Sequence, residues 1–242
     1  MKQESSTRLL YNPSRIPQEE FLRGFIVRQA EFQRIWEDMR DARLDAMDPH
    51  FLITGQRGMG KTSLMLKVAY EIRRDSRLSD WLLPVLLPEE MYGVSDLMGF
   101  WVAVAKAVEA QNPGKFKGLG EEAEAAAMKD DETKVMETIV DRLRKPQSKL
   151  VIFIDNFGDL LDRLPEKEIH RLREIFTTAK WLRVVAASAR VLDHTYSYDK
   201  PFFDFFHPIA LRGLSKDEAK GLLEGLAELE PEDRREEILK TL

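Results

Sequence analysis

Gly55-Gln-Arg-Gly58-Met-Gly60-Lys61-Thr62 satisfies G-x-x-x-x-G-K-[ST] in full, a spacing that suits a loop wrapped around a polyphosphate. Such a loop turns its backbone N–H groups inward, and glycine at the tight points leaves room for the anion. The positive end of a following helix then faces the phosphates. Lys61 supplies a compact, mobile cation for the β- and γ-phosphates, and Thr62 offers a hydroxyl to Mg2+. Nucleotide contacts are therefore expected from Gly55, Gln56, Arg57, Gly58, Met59, Gly60, Lys61, Thr62 and Ser63.

A metal at Thr62 needs an anionic oxygen as well. Leu150-Val-Ile-Phe-Ile154 is an unbroken apolar run, and Asp155 follows it. The run fits a strand buried on both faces of a parallel sheet. An acid at its C-terminal end lies at the edge where α/β sheets bind ligands, so Asp155 is expected to share Mg2+ with Thr62. The next residue is Asn156. An amide can orient water but cannot accept its proton at neutral pH. Binding is thus a firmer expectation than fast turnover. Asp159, a few residues on, is either a substitute acid or the start of a helix after Gly158.

Leu182 to Ala187 reads as a further strand, running into Ser188-Ala189-Arg190. A hydroxyl and a planar, always-charged guanidinium at that strand end can reach toward a γ-phosphate. Ser188 is thus a binding candidate, and Arg190 joins Lys61, Asp155 and Asn156 as catalytic candidates. Residues 196–207 hold Tyr196, Tyr198, Phe202, Phe203, Phe205 and Phe206, with Lys200 the only firm cation among them. Asp199 and Asp204 interrupt the segment, so core packing or a subunit contact suits it better than base stacking. No [NT]-K-x-D guanine signature occurs, which favours ATP over GTP. Neither G-x-S-x-G nor H-E-x-x-H is present, and His50, His170, His194 and His207 lack ligand-like spacing.

The elements that position these groups follow from periodicity. Phe32, Ile35, Trp36 and Met39 share one face of a helix starting near Gln29. Phe51 to Thr54 is a short strand before the glycine loop, and Leu64, Met65, Val68, Ala69 and Ile72 line the helix after it. Leu82 to Leu87 is a strand in which Pro84 favours an edge position. Ser95 is expected to cap a helix carrying Leu97, Phe100, Trp101, Val104 and Val108. Residues 111–133 are rich in Gly, Glu and Ala without a clean period and read as a surface loop or weak helix. Helices follow over Glu132–Arg144 and Glu166–Lys180, with a last strand at Pro208–Leu211. Ser215-Lys-Asp-Glu218 is a capping box, and Pro231 starts a charged terminal helix. Strands alternating with long helices predict an α/β fold, a mainly parallel five-stranded sheet flanked by helices. The expected division is an N-terminal arm over 1–20, a P-loop α/β domain over 21–213, and a short helical segment over 214–242.

Composition narrows the classes further. The chain has 242 residues, 43% apolar and 33% charged, with a net charge of −5. That is ordinary globular composition. A whole-surface basic footprint for nucleic acid is missing, although a local patch would still serve. Cysteine is absent, which removes disulfides and thiol chemistry and fits a reducing cytoplasm. No apolar run approaches the 18 or so residues of a membrane span, and the first residues lack the apolar core of a secretion signal.

Taken in order, these stretches resemble the AAA-type and STAND-type P-loop ATPases, near the origin-recognition branch. Phe25-Ile-Val-Arg28-Gln-Ala-Glu-Phe32 is similar to the lead-in that lines the adenine side of the pocket in those proteins, which adds Arg28 to the binding candidates. Gly55–Thr62 corresponds to the phosphate loop and Val151–Asp155 to the metal strand. Val184–Arg190 resembles the sensor strand, with Ser188 and Arg190 at the sensing positions. Phe206 to Ala219 resembles the last strand and the start of the helical lid. An NP…F(V/I)xR lead-in and the stretch Pro88-Glu-Glu-Met-Tyr92 are similar to a group of bacterial AAA-like ATPases. The resemblance implies ATP and Mg2+ as cofactors. It also implies an ATP-dependent molecular switch that works with a protein partner or by self-assembly, with hydrolysis expected to be slow because Asn156 stands where those ATPases carry an acid. A DNA-associated ATPase, such as a loader or transposition helper, and a non-catalytic ATP-binding scaffold are the alternatives.

Overall fold

A computed structural model describes residues 13, 16–89, 91, 93–190, 200–228 and 235. The strands are β1 (Phe51–Thr54), β2 (Leu82–Leu86), β3 (Lys149–Ile154), β4 (Leu182–Ser188) and β5 (His207–Ala210). They form one sheet in the order β2-β3-β4-β1-β5, and every pairing is parallel. Pro84 sits in edge strand β2, where its missing N–H costs no ladder bond on the open side.

Side-chain alternation along β3 feeds both faces. Leu150, Ile152 and Ile154 join one apolar cluster, and Val151 and Phe153 join the other. The second face is covered by α2 (Gln29–Arg40) and α3 (Lys61–Arg74), through Phe32, Ile35, Met39, Leu64, Val68 and Ile72. The first face carries α4 (Leu97–Gln111), α5 (Pro113–Phe116), α6 (Leu119–Ala127), α7 (Glu132–Arg144), α8 (Phe157–Leu161) and α9 (Glu166–Thr178). Helix α1 (Gln18–Gly24) lays Phe21 against Leu66 and Tyr70 of α3. Helix α10 (Lys216–Glu228) starts with the expected box: Ser215 N–H donates to Glu218 Oε2 at 2.7 Å, and Glu218 N–H donates to Ser215 Oγ at 3.2 Å.

Three expectations are corrected. Of the two readings of residues 111–133, the surface loop gives way to the helix. The segment forms α5 and α6, and Phe116, Leu119, Ala123 and Ala126 are buried against the first face. Glu109 of α4 holds this segment in place by accepting Gly118 N–H at 2.6 Å and Gly120 N–H at 2.8 Å. The cap of α4 is Asp96 and not Ser95, because the Asp96 carboxylate accepts Gly99 N–H at 2.7 Å. Helix α9 ends at Thr178, short of Lys180. The aromatic segment is core where it is described, with Phe202 and Phe206 buried beside Phe157 and Phe176. Tyr196, Tyr198, Glu90, Tyr92 and the helix expected from Pro231 lie outside the described residues.

A buried polar set closes the N-terminal edge of the sheet. Lys149 Nζ pairs with Asp48 and donates to the carbonyls of Arg43 (3.1 Å) and Ala46 (2.8 Å). Arg183 Nε donates to Pro49 O at 2.7 Å, and Nη1 donates to Asp38 O at 2.8 Å. These bonds fasten the segment between α2 and β1 beneath the strands and so fix where β1 begins.

Candidate functional site: the phosphate cleft

Strand β1 ends at Thr54 and helix α3 starts at Lys61, so the glycine loop bridges a strand end and a helix N-terminus. Its backbone needs glycine. Gly58 has φ of 80° and Gly60 of 89°, a region that side chains with a Cβ rarely adopt. A Cβ at either position would meet nothing within 4 Å, so the loop is open toward the cleft. Gly55 is constrained differently, because a Cβ there would lie 3.1 Å from Leu211 Cβ.

Lys61 is only 7% exposed. Its ammonium donates to Gly55 O at 2.7 Å and Gln56 O at 3.0 Å, which folds the side chain back over the loop. Burial lowers its pKa, Asp155 opposes that shift, and Arg57 adds to it. An arriving phosphate would therefore meet a partly desolvated cation held close to the loop by its carbonyls.

Asp155 follows β3 and is 8% exposed. Its Oδ2 accepts the Thr62 hydroxyl at 2.5 Å, and its Oδ1 accepts Asn156 N–H at 2.9 Å. The expected metal pair is thus in contact across α3 and β3. Two hard oxygens suit Mg2+, which takes few protein ligands and keeps substrate phosphates and water for the rest. Among the described residues no group of three or more His, Cys, Asp or Glu could hold a metal ion. The donor set therefore fits an ion carried in with a polyphosphate better than one caged by protein alone.

A cleft of about 600 Å3 gathers Arg57, Gly58, Gly60, Lys61, Thr62 and Ser63 with Asp155 and Asn156. Asn156 adopts φ of 50°, makes no side-chain cap to α8, and lines the cleft. Asp159 lines the same space. Glu89, just past β2, and Arg163, just past α8, line it too. Glu89 falls in the Pro88–Tyr92 stretch that carried the resemblance, but no role was assigned to it, and Arg163 was not singled out; sheet order brings both here.

Ser188 and Arg190 do not line the cleft, whereas Ala189 between them does. Ser188 is buried and its hydroxyl donates to Arg190 O at 2.8 Å. The Arg190 guanidinium pairs with Asp162 and lies 3.7 Å from Asp159. Two carboxylates satisfy it, so it contacts a cleft-lining residue without reaching into the cleft.

A second cavity, of about 410 Å3, adjoins the first, and Gly58, Gly60 and Ser63 border both. Its walls are largely apolar, with Phe21, Phe25, Ile26 and Val27 from the lead-in, Met59 from the loop, and Leu222 and Leu226 from α10. Arg28 also lines it. Its buried guanidinium is held by Glu31 at 3.3 Å and by the Arg212 carbonyl. At Gly225 a Cβ would stand 2.1 Å from Ile26 Cδ1, so α10 is pressed close on the lead-in. The pair of cavities thus sets apolar walls directly beside the polar cleft.

No family model and no curated protein matches the sequence. Solved structures do resemble the fold. The Aeropyrum pernix ORC2 protein in its ADPNP–ADP complexes is 16% identical with a TM-score of 0.64, over 84% of this chain and 52% of that one. The Aeropyrum pernix ORC1 protein in complex with DNA is 20% identical with a TM-score of 0.59, over 86% and 51%. Cdc6p from Pyrobaculum aerophilum is 12% identical with a TM-score of 0.57, over 91% and 53%. The chain spans about half the length of these structures. The likeness is one of fold: the five-stranded parallel sheet flanked by helices, with the glycine loop between β1 and α3, has the architecture of these origin-recognition and Cdc6 structures.

Proposed function

We propose that the chain binds Mg-ATP in the phosphate cleft, hydrolyses it slowly, and acts as a nucleotide-dependent switch on a protein partner or on further copies of itself. The observation that carries this reading is the Thr62–Asp155 contact at 2.5 Å beside a buried Lys61. Those three residues serve phosphate and metal together and serve little else at a strand edge. Mg2+ would be held by Thr62 and Asp155 and would neutralise charge on the phosphates. Lys61 and the N–H groups of residues 58–63 would hold the phosphates, and the apolar cavity would take the adenine. Asn156 would orient water without taking its proton. The cytoplasm is the compartment we assign, in keeping with the cysteine-free sequence. No helix among the described residues is long and apolar enough to cross a membrane.

The resemblance of α10 to the start of a lid supports the switch. Its Leu222 and Leu226 reach the cavity wall, so nucleotide occupancy and the seating of α10 are coupled by contact. Phosphate release from Mg-ATP, measured for wild type and Lys61→Ala across a wide range of protein concentration, tests the proposal. Release that is slow, absent in the variant and steeper than linear in concentration supports a self-assembling switch. Equal release by both proteins sinks it. A DNA-associated ATPase is the second reading, drawn from the neighbour solved with DNA. It requires that duplex DNA raise turnover at low salt and lose that effect as salt rises.

A further inference from the structure

We propose that Glu89 is the carboxylate that takes the proton of the attacking water, the role that the amide of Asn156 cannot fill. The inference rests on the reading of the cleft as a Mg-ATP site. Strands β2 and β3 pair in parallel with Leu86 opposite Phe153, and Leu87 N–H still donates to Phe153 O at 3.0 Å. Carried forward residue by residue, that register brings Glu89 level with Asn156. Both residues line the cleft that holds Lys61, Thr62 and Asp155. Glu89 thus reaches, from the neighbouring strand, the space where an acid directly after Asp155 would have worked.

Its surroundings leave the carboxylate available. Glu89 is exposed to the cleft and makes no hydrogen bond or ion pair with any other described residue. Of the other acids in the space, Asp155 accepts the Thr62 hydroxyl and Asp159 is engaged by Arg190 at 3.7 Å. Arg163 Nη1 donates to Met91 O at 2.8 Å, which ties the segment after β2 to the chain just past α8 and limits how far Glu89 can drift. In the step itself the water oxygen bonds to the γ-phosphorus. The bond from that phosphorus to the β–γ bridging oxygen breaks, and ADP leaves with its electron pair. One water proton passes to a Glu89 carboxylate oxygen and is later lost to solvent.

The test is steady-state phosphate release from Mg-ATP by the full chain and by Glu89→Gln, Glu89→Asp and Asp159→Asn, with Mg-ATP affinity measured for each by calorimetry. Glu89→Gln is expected to lower kcat by about 100-fold or more while affinity stays within about twofold of wild type. Glu89→Asp should recover part of the rate, and Asp159→Asn should be slowed less than Glu89→Gln. Unchanged affinity also reports that the variant is folded. Wild-type turnover by Glu89→Gln overturns the proposal. So does a wild-type chain that binds Mg-ATP and releases no phosphate, although the binding reading then stands. A wild-type chain that fails to bind Mg-ATP removes both readings.

Discussion

The Thr62 hydroxyl donates to Asp155 Oδ2 at 2.5 Å across a sequence separation of 93 residues. One group starts a helix and the other ends a strand, and neither has a reason to meet the other except a shared ligand or a shared bond. Asp155→Asn keeps the shape and removes the charge. Its affinity for ATP in Mg2+ should fall about tenfold or more, equivalent to about 1.4 kcal/mol, while its affinity in EDTA matches wild type. Calorimetric titrations with and without Mg2+ check this. An equal loss in both would assign Asp155 to folding and not to metal.

Gly60 tests the loop backbone apart from any contact. Its φ is 89° and a Cβ would touch nothing. Gly60→Ala should therefore cost about 1–2 kcal/mol of stability through backbone strain alone, together with weaker nucleotide binding. Urea denaturation gives the first quantity and ATP titration the second. A variant as stable as wild type would show that the loop relaxes freely.

His50 links stability to pH. Its Nδ1 accepts Val184 N–H at 2.9 Å, so Nε2 carries the proton and donates to Phe176 O at 2.9 Å. Burial, set against the Phe176 bond, lowers its pKa from 6.5 to about 4. Between those values the unfolded chain binds the extra proton and the folded chain does not. The stability from this residue is therefore complete above pH 6.5 and is lost as pH falls toward about 4, by roughly 3 kcal/mol at most. Denaturation curves across that window should show wild type losing stability faster than His50→Gln, with a slope difference approaching one proton. Parallel profiles would contradict the assignment.

Lys149 probes the polar set under the sheet. Its side chain is fully buried against Asp48, and burial lowers its pKa while Asp48 opposes the shift. Lys149→Met leaves that carboxylate and the Arg43 and Ala46 carbonyls without a donor. The expected destabilisation is about 3–5 kcal/mol, read by urea denaturation. A loss under about 1 kcal/mol would mean that water replaces the ammonium.

The phosphate loop was legible because its chemistry dictates residue types within eight positions, and β3 because burial on both faces demands an unbroken apolar run. Helices α5 and α6 were not. Their buried face is largely small, with Ala123 and Ala126 beside Phe116 and Leu119, and alanine contributes little to a hydrophobic period. Their hold on the protein also runs through Glu109, a cap supplied from another helix. Ser95 and Asp96 are both good caps, and only the local backbone decides between them. Glu89, Arg163 and His50 depend on which strands lie side by side, and no short-range spacing encodes that. Arg190 was placed by its strand end, but the carboxylates of Asp159 and Asp162 that draw it lie on and just after α8.

The central claim is that Lys61 and its loop hold the phosphates of Mg-ATP. Calorimetric titration of Mg-ATP into wild type and Lys61→Ala tests it most directly. Saturable binding by wild type, with no binding by a variant that keeps the wild-type circular dichroism spectrum, is the predicted result. Binding of equal affinity by both proteins would contradict it.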